Sequence, residues 1–190
     1  AMRAMHQGAS LLTGARPGGA GKTTLMAAIL NFLPLQVPLI TVDGSRVISQ
    51  GLERSATDPA CYLAHEIGSG DWYGYIWGRD VADFFSLIDG SRRIASCLHA
   101  DTLHEVTDIL GSAPLGVSQS ALGRVSVVLF MHVARGPGGN RRRVATFWES
   151  DGQGEHHLRF QWDALTDTFR QVGELCQPEH LGRYVQFIRQ

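Results

Sequence analysis

A glycine-rich stretch that ends in the only lysine of the chain carries the most specific chemical signal in the sequence. Residues 16–24 run Arg-Pro-Gly-Gly-Ala-Gly-Lys-Thr-Thr, and Lys22 is the single lysine beside 16 arginines. Glycines let successive backbone N–H groups turn inward around phosphate oxygens, and the lysine and threonine that follow supply an ammonium group and a ligand for Mg²⁺. The stretch therefore predicts a loop that binds the phosphates of a nucleotide.

The residues predicted to hold ATP and Mg²⁺ come from this loop. Those predicted to contact the nucleotide are Pro17, Gly18, Gly19, Ala20, Gly21, Lys22, Thr23 and Thr24. The hydroxyl of Thr23 is also predicted to ligate the metal. A strict loop of this kind has glycine six positions before the lysine, where this chain has Arg16, and the nearest upstream glycine is Gly14. The alternative is a glycine-rich turn with an incidental Lys-Thr pair.

Three further side chains at predicted strand ends are candidates for catalysis. Glu66 follows an apolar run, where a carboxylate activates the attacking water or holds Mg²⁺ through a water molecule. Asp43 occupies the same place after another predicted strand, although Asp-Gly is also a common turn. His99 follows a further strand and is a candidate to contact the γ-phosphate. The alternatives for Glu66 and His99 are a solvent-facing carboxylate and a histidine bonded to nearby backbone.

Other polar and aromatic clusters have more ordinary interpretations. Cys97, His99 and His104 have a spacing that suggests zinc, but no paired cysteines accompany them. The arginines at 141–143 could contact phosphate or acidic lipid, although arginines at a hairpin tip are most often simply solvated. The aromatic stretch at 72–77 could stack on a base, but packing in a core or an interface is the more common role.

The spacing of apolar residues predicts the elements that position these side chains. Apolar runs over 9–13 and 37–42, with a helical spacing over 22–33 between them, indicate one βαβ unit around the loop. Further strands are predicted over 61–67, 94–98, 125–134, 144–148 and 157–162, and further helices over 81–88, 102–110 and 181–188. Thr102 or Asp101 is predicted as the N-cap of the helix over 102–110, with Glu105 placed for a capping box. Residues 44–59 show no pattern, and 68–78 are predicted as an ordered loop.

These elements predict one α/β domain with a mostly parallel sheet flanked by helices. Its expected parts are a nucleotide-binding core over 9–124, a β-hairpin extension over 125–165 and a helical tail over 166–190. In an open α/β sheet, the ligand binds at the carboxyl ends of the strands. The loop and the candidate side chains are all predicted at that edge.

Bulk composition narrows the class of protein. A length of 190 residues suits one domain, and 44% hydrophobic against 18% charged residues excludes a disordered chain. No stretch approaches the ~20 apolar residues that span a bilayer, and no signal peptide opens the chain, so a cytoplasmic location is expected. The net charge of −1 does not suggest a dedicated nucleic-acid binder. Three scattered cysteines fit a reducing compartment better than a disulfide scaffold.

In their order, the motifs resemble those of the secretion and pilus-assembly ATPases, the type II and type IV secretion superfamily. The segments that carry the resemblance are Thr13-Gly14, the Gly-Lys-Thr-Thr of the loop, Ile40 to Asp43, Glu66, Ala95 to Asp101, and the hairpin segment Gly138 to Val144. The resemblance covers about residues 9–165. In that family an acidic box matches Asp43, a Walker B segment matches Glu66, and a histidine box matches the segment around His99.

The resemblance implies a RecA-like core that binds ATP with Mg²⁺ and hydrolyses ATP in a ring-shaped homo-hexamer. It also implies arginine fingers from a neighbouring subunit, for which Arg79, Arg92 and Arg93 are unranked options, and a membrane-complex protein partner that would hold the enzyme at the inner membrane. The N-terminal domain of the family is not recognised in this chain. The alternatives are a nucleotide-dependent regulatory module with little turnover and a DNA-translocating ATPase, although nucleic acid is not the favoured partner.

Overall fold

One mixed β-sheet runs through the part of the chain that the structure, a computed structural model, describes, which is residues 1–55, 57–136 and 139–174. The strands are β1 Leu11–Gly14, β2 Leu39–Thr41, β3 Ala60–Leu63, β4 Glu66–Ile67, β5 Tyr75–Ile76, β6 Arg92–Leu98, β7 Val127–Gly136, β8 Gly139–Ser150, β9 His156–Asp163 and β10 Thr168–Gln171. The helices are α1 Met2–His6, α2 Lys22–Leu30, α3 Ser45–Glu53, α4 Arg79–Ser86, α5 Leu103–Gly111 and α6 Gln119–Gly123. The described residues thus form an α/β fold.

The half of the sheet that positions the candidate residues is parallel. Its strands lie side by side in the order β2-β3-β6-β1-β7, and each neighbouring pair runs parallel. Every residue of β1 is buried, as is typical of a central strand covered on both faces. Because parallel strands end at the same edge, the segments that follow β1, β3 and β6 approach one another there.

From β7 onward the sheet is antiparallel. Strand β7 pairs with β8, β8 with β9 and β9 with β10, all antiparallel, so the sheet is mixed and the expectation of a mostly parallel sheet overstated its parallel part. The residues of β8 are exposed or half-buried throughout, as is usual for antiparallel strands with one face in solvent. The tail expected to be helical from residue 166 begins instead with β10, and the helix predicted over 181–188 lies outside the described residues.

Helices pack on both faces of the sheet. The side chains of Leu11 and Leu12 point to opposite faces, as successive strand residues do, and each belongs to a different hydrophobic cluster. The cluster around Leu11 includes Met26 and Ile29 of α2. The cluster around Leu12 includes residues of α3, α4, α5 and α6, among them Phe84. The loop before α2 is therefore held between a buried strand and a packed helix.

Three of the described helices were not predicted from the sequence. Helix α3 lies in the segment for which no pattern was predicted, although its apolar residues Val47, Ile48 and Leu52 fall on one side of the helix. Helices α1 and α6 have five residues each, too few to show a period. Half of the predicted capping box is present, since the Thr102 hydroxyl accepts a hydrogen bond from the N–H of Glu105 at 3.2 Å, but the Glu105 carboxylate accepts from the N–H of Asp101 at 2.8 Å instead of that of Thr102. None of the described helices has the length and apolarity that a membrane crossing requires.

Candidate functional site

A cavity of about 810 Å³ opens at the carboxyl edge of the parallel strands. Its walls are residues 18–25 and Ala28 from the loop and α2, Glu66 and Tyr75 from β4 and β5, His99 after β6, and Met131 and Arg142 from β7 and β8. Most of the residues predicted from the sequence are therefore brought together around one space. Pro17 and Asp43 do not line it.

Glycines at the end of β1 and before α2 give this region its shape. Gly14 has no space for a side chain, since a Cβ there would lie 2.5 Å from the Ala100 carbonyl oxygen and 2.7 Å from the Phe130 ring. Gly19 and Gly21 have φ angles of 70° and 97°, in the left-handed region that favours glycine. A Cβ at Gly18 or Gly19 would meet nothing within 4 Å. A ligand can therefore approach the backbone of this part of the loop closely.

The backbone N–H groups of the loop are available to a ligand. Among the described residues, none accepts a hydrogen bond from the N–H groups of Gly18 to Thr24. Helix α2 begins at Lys22 after an N-cap glycine that provides no capping side chain. Unpaired N–H groups in a turn, together with the positive end of a helix dipole, attract anions. The loop has the chemistry of a phosphate-binding site.

Lys22 brings a buried positive charge to this loop. It is only 6% exposed, and its Nζ donates a hydrogen bond to the carbonyl oxygen of Ala15 at 3.2 Å. The nearest carboxylate oxygen, Oε2 of Glu66, lies 3.8 Å away, near the outer limit of an ion pair. An ammonium group has three donors, so Lys22 retains capacity for an anion in the cavity.

Glu66 and His99 form a second polar centre opposite the loop. The strand predicted over 61–67 ends at Leu63, and Glu66 begins the separate strand β4, in which Ile67 pairs with Leu98 of β6 and Glu66 with Tyr75 of β5. This break carries the Glu66 carboxylate into the cavity, where its Oε1 lies 2.8 Å from Nε2 of His99. Glu66 is thereby placed between a histidine and a lysine.

The other nitrogen of the His99 ring connects this centre to the start of the loop. His99 Nδ1 lies 2.8 Å from the carbonyl oxygen of Arg16, and since a carbonyl only accepts, we assign the hydrogen of this bond to Nδ1. The N–H of Arg16 donates to Oδ1 of Asp101 at 2.8 Å, and its guanidinium contacts Oε1 of Glu105 at 2.6 Å. The pKa of Glu105 is lowered, first by the N–H of Asp101 that donates to it and further by Arg16. Arg16 thus fastens the loop to the segment between β6 and α5.

Two polar residues that line the cavity were not recognised as such in the sequence. Tyr75 belongs to β5, inside a segment predicted as a loop, and its pKa is raised by burial and then by the nearby charge of Glu66. Arg142 donates from Nε to the carbonyl oxygen of Gly19 at 2.8 Å. The sequence signal for Arg142 was the run of three arginines, but nothing in the run indicated which one faces the loop.

Several other candidates lie away from the cavity. Asp43 is exposed beyond the edge strand β2, which is separated from β1 by β3 and β6, so its catalytic role stays a prediction without a contact to support it. Cys97 is buried against Thr13, with its sulfur 3.0 Å from the threonine oxygen, and burial raises its pKa. His104 is exposed and pairs with Asp108 at 2.8 Å, so the zinc alternative gains no support.

The aromatic candidates are exposed, whereas two of the three arginines considered as fingers are paired or buried. Trp72, Tyr73 and Trp77 are exposed rather than packed in a core, at 72%, 67% and 43%. Arg92 is paired with Asp89, and Arg93 is buried against backbone carbonyl groups. Of the three arginines considered as fingers, only Arg79 is exposed.

The fold and the site define an α/β protein with a mixed sheet and, at the carboxyl edge, a glycine-rich loop with unpaired N–H groups. No protein-family model matches the chain, and no curated protein is similar to it in sequence. Among solved structures, its fold is similar to that of the VirB11 ATPase of the Brucella suis type IV secretion system, solved in complex with sulphate. The TM-score is 0.56 and the identity 18%, with 78% of this chain and 50% of that chain covered. The chain therefore spans about half the length of that protein, and the likeness concerns the fold.

Proposed function

We propose that this chain binds ATP in the cavity and hydrolyses it, as a RecA-like P-loop ATPase core. The observation that carries the proposal is the loop itself, whose unpaired N–H groups from Gly18 to Thr24 and buried Lys22 surround the same cavity as Glu66 and His99. The likeness to the VirB11 structure supports the proposal, because that protein is an ATPase.

Each side chain has a defined task in this proposal. Lys22 and the loop N–H groups hold the phosphates and neutralise the charge that develops during transfer. Glu66 orients and activates the attacking water. His99, within hydrogen-bond reach of Glu66, detects whether the γ-phosphate is present. Catalysis of this kind rests on positioning and on charge neutralisation.

The oxygen atoms around the cavity suit Mg²⁺. Thr23 and Glu66 line the same space and carry a hydroxyl and a carboxylate, and Mg²⁺ prefers oxygen ligands and retains part of its water shell. Thr23 would hold the ion directly and Glu66 through water. When bound, Mg²⁺ would offset negative charge on the phosphate oxygens.

The work that hydrolysis would drive is proposed from the likeness to secretion ATPases. A ring-shaped homo-oligomer, a membrane-complex partner and an arginine finger from a neighbouring subunit follow from that likeness as proposals. The exposed Arg79 is the best placed of the three finger candidates. Because the chain spans half of its structural neighbour, residues outside this chain would also contribute to such an assembly.

A regulatory module with little turnover is the second candidate, and one observation favours it. Glu66 is already engaged by both Lys22 and His99. A carboxylate held in this way must be released from these partners before it can act on water. The two candidates predict the same binding and different turnover.

Turnover and molecular mass measured together test the proposed function. We expect tight binding of ATP·Mg²⁺, phosphate release dependent on Mg²⁺, and a larger particle mass with ATP present than without it. Binding without phosphate release would favour the regulatory module. No binding of ATP would contradict both candidates.

The Arg16→Ala variant tests whether the departure from the strict loop pattern matters. We expect ATP affinity within about threefold of the parent and a change in unfolding free energy below ~1 kcal/mol, because the side chain is 65% exposed and makes a surface ion pair. The two loop-fastening hydrogen bonds use the backbone of Arg16 and persist in the variant. Calorimetric titration and denaturant unfolding measure both quantities, and a loss of affinity comparable to that of Lys22→Ala would contradict this interpretation.

A further inference from the structure

The three consecutive arginines of β8 are divided between the two faces of the strand. Arg143 donates to both carboxylate oxygens of Asp167, at 2.7 Å and 2.6 Å. Arg141 lies 3.6 Å from the same carboxylate. Since strand residues alternate in direction, the residue between them points to the other face. Two of the three arginines are thus paired with one aspartate.

Arg142 faces the loop. Its Nε donates to the carbonyl oxygen of Gly19, and its Cδ is 3.4 Å from where a Cβ of Gly21 would be. Val144, two residues further along the same face, packs against the hydrophobic cluster that contains Met26 of α2. The guanidinium therefore lies against the glycines that precede the first turn of α2, and it lines the cavity.

The charge of Arg142 has no acidic partner in the part of the chain that the structure describes. Its one hydrogen bond goes to a neutral carbonyl group. A guanidinium has five N–H donors in a planar fork that matches phosphate oxygens, so most of them remain available. An unneutralised arginine at the wall of an anion-binding cavity has a direct use, because a nucleotide brings several negative charges into it.

We propose that Arg142 binds the phosphate chain of the nucleotide from within the same chain. The inference rests on the proposed function and adds a second fixed cation to Lys22. It also gives the antiparallel half of the sheet a part in the site, because β8 then contacts the ligand as well as the loop that holds it.

Two substitutions of Arg142 separate its charge from its hydrogen bond to the loop. Arg142→Gln removes the charge, and Arg142→Lys keeps a charge but loses the planar fork. Calorimetric titration with ATP·Mg²⁺ is expected to show a loss of about tenfold or more for Arg142→Gln, the scale of a charge-assisted hydrogen bond. Arg142→Lys is expected to lose about two- to threefold, and to keep more of the salt dependence of binding. Arg141→Gln is the matched control, with unchanged affinity expected.

The outcomes distinguish this inference from the function on which it rests. Equal affinity of the parent and Arg142→Gln would overturn it, as would equal losses for the glutamine and lysine variants, since the bond to Gly19 rather than the charge would then matter. If the parent binds and hydrolyses ATP and Lys22→Ala binds it about 30-fold or more weakly, the proposed function stands whatever Arg142 does. If the parent binds no ATP, both fail. Thermal unfolding of each variant confirms that it is folded.

Discussion

The Lys22→Ala variant is expected to lose about 30-fold or more in affinity for ATP·Mg²⁺. Truncating one member of a buried, hydrogen-bonded charge pair costs ~2–5 kcal/mol in binding, and ~1.4 kcal/mol corresponds to a factor of ten. Lys22 is 6% exposed, so the phosphate that it would contact is screened little by solvent. Calorimetric titration of parent and variant at one salt concentration measures the effect.

A second substitution at this position shows whether charge alone is sufficient. Lys22→Arg keeps the charge, but a planar guanidinium is wider than an ammonium and must fit among loop backbone and Glu66. We expect it to bind nearly as weakly as the alanine variant. Circular dichroism establishes that both variants are folded. Unchanged ATP affinity in Lys22→Ala would refute the assignment of the loop.

The Glu66→Gln variant is expected to bind ATP and to release phosphate about 100- to 10,000-fold more slowly. A general base contributes on this order to the rate, and an amide of nearly the same shape cannot accept the proton. Affinity is expected to stay within about threefold, because the carboxylate lies 3.8 Å from Lys22 and makes no contact with the loop N–H groups. Single-turnover phosphate release and calorimetry separate the two quantities.

The matched control for Glu66→Gln is Asp108→Asn. Asp108 is an exposed carboxylate on α5 that pairs with His104 and does not line the cavity. The rate of phosphate release by Asp108→Asn should equal that of the parent. Should Glu66→Gln release phosphate as fast as the parent, Glu66 has no part in the chemistry and the assignment of the base fails.

The loop could be predicted from the sequence because its residue types admit few other structures. Glycines at Gly19 and Gly21 satisfy positive φ angles that side chains disfavour, and a strand and a helix flank them in the expected order. His99 was predictable in the same way, since it follows the buried strand β6 directly. Local chemistry and chain order are sufficient for such features.

Other parts of the site depend on contacts distant in the sequence. The residues between Leu63 and Glu66 give no sign of the break between β3 and β4. The break occurs where the N–H of His65 donates to the carbonyl oxygen of Gly74 at 2.7 Å and the chain leaves the register of β3. The position of Arg142 depends on the pairing of β8 with β7, which decides the face that it occupies. Asp43 was predicted from the chain to follow a strand, and it does. The sequence did not show that this strand, β2, lies at the edge of the sheet, away from the cavity.

The central claim, that the loop binds the phosphates of ATP, is tested most directly by following the backbone amide signals of the protein by nuclear magnetic resonance during addition of ATP·Mg²⁺. We predict saturable shifts concentrated at Gly18 to Thr24, with Glu66 and His99 affected as well, and no such shifts in Lys22→Ala. A titration that leaves the amides of Gly18 to Thr24 unmoved, or that moves only residues outside the cavity, would contradict the claim.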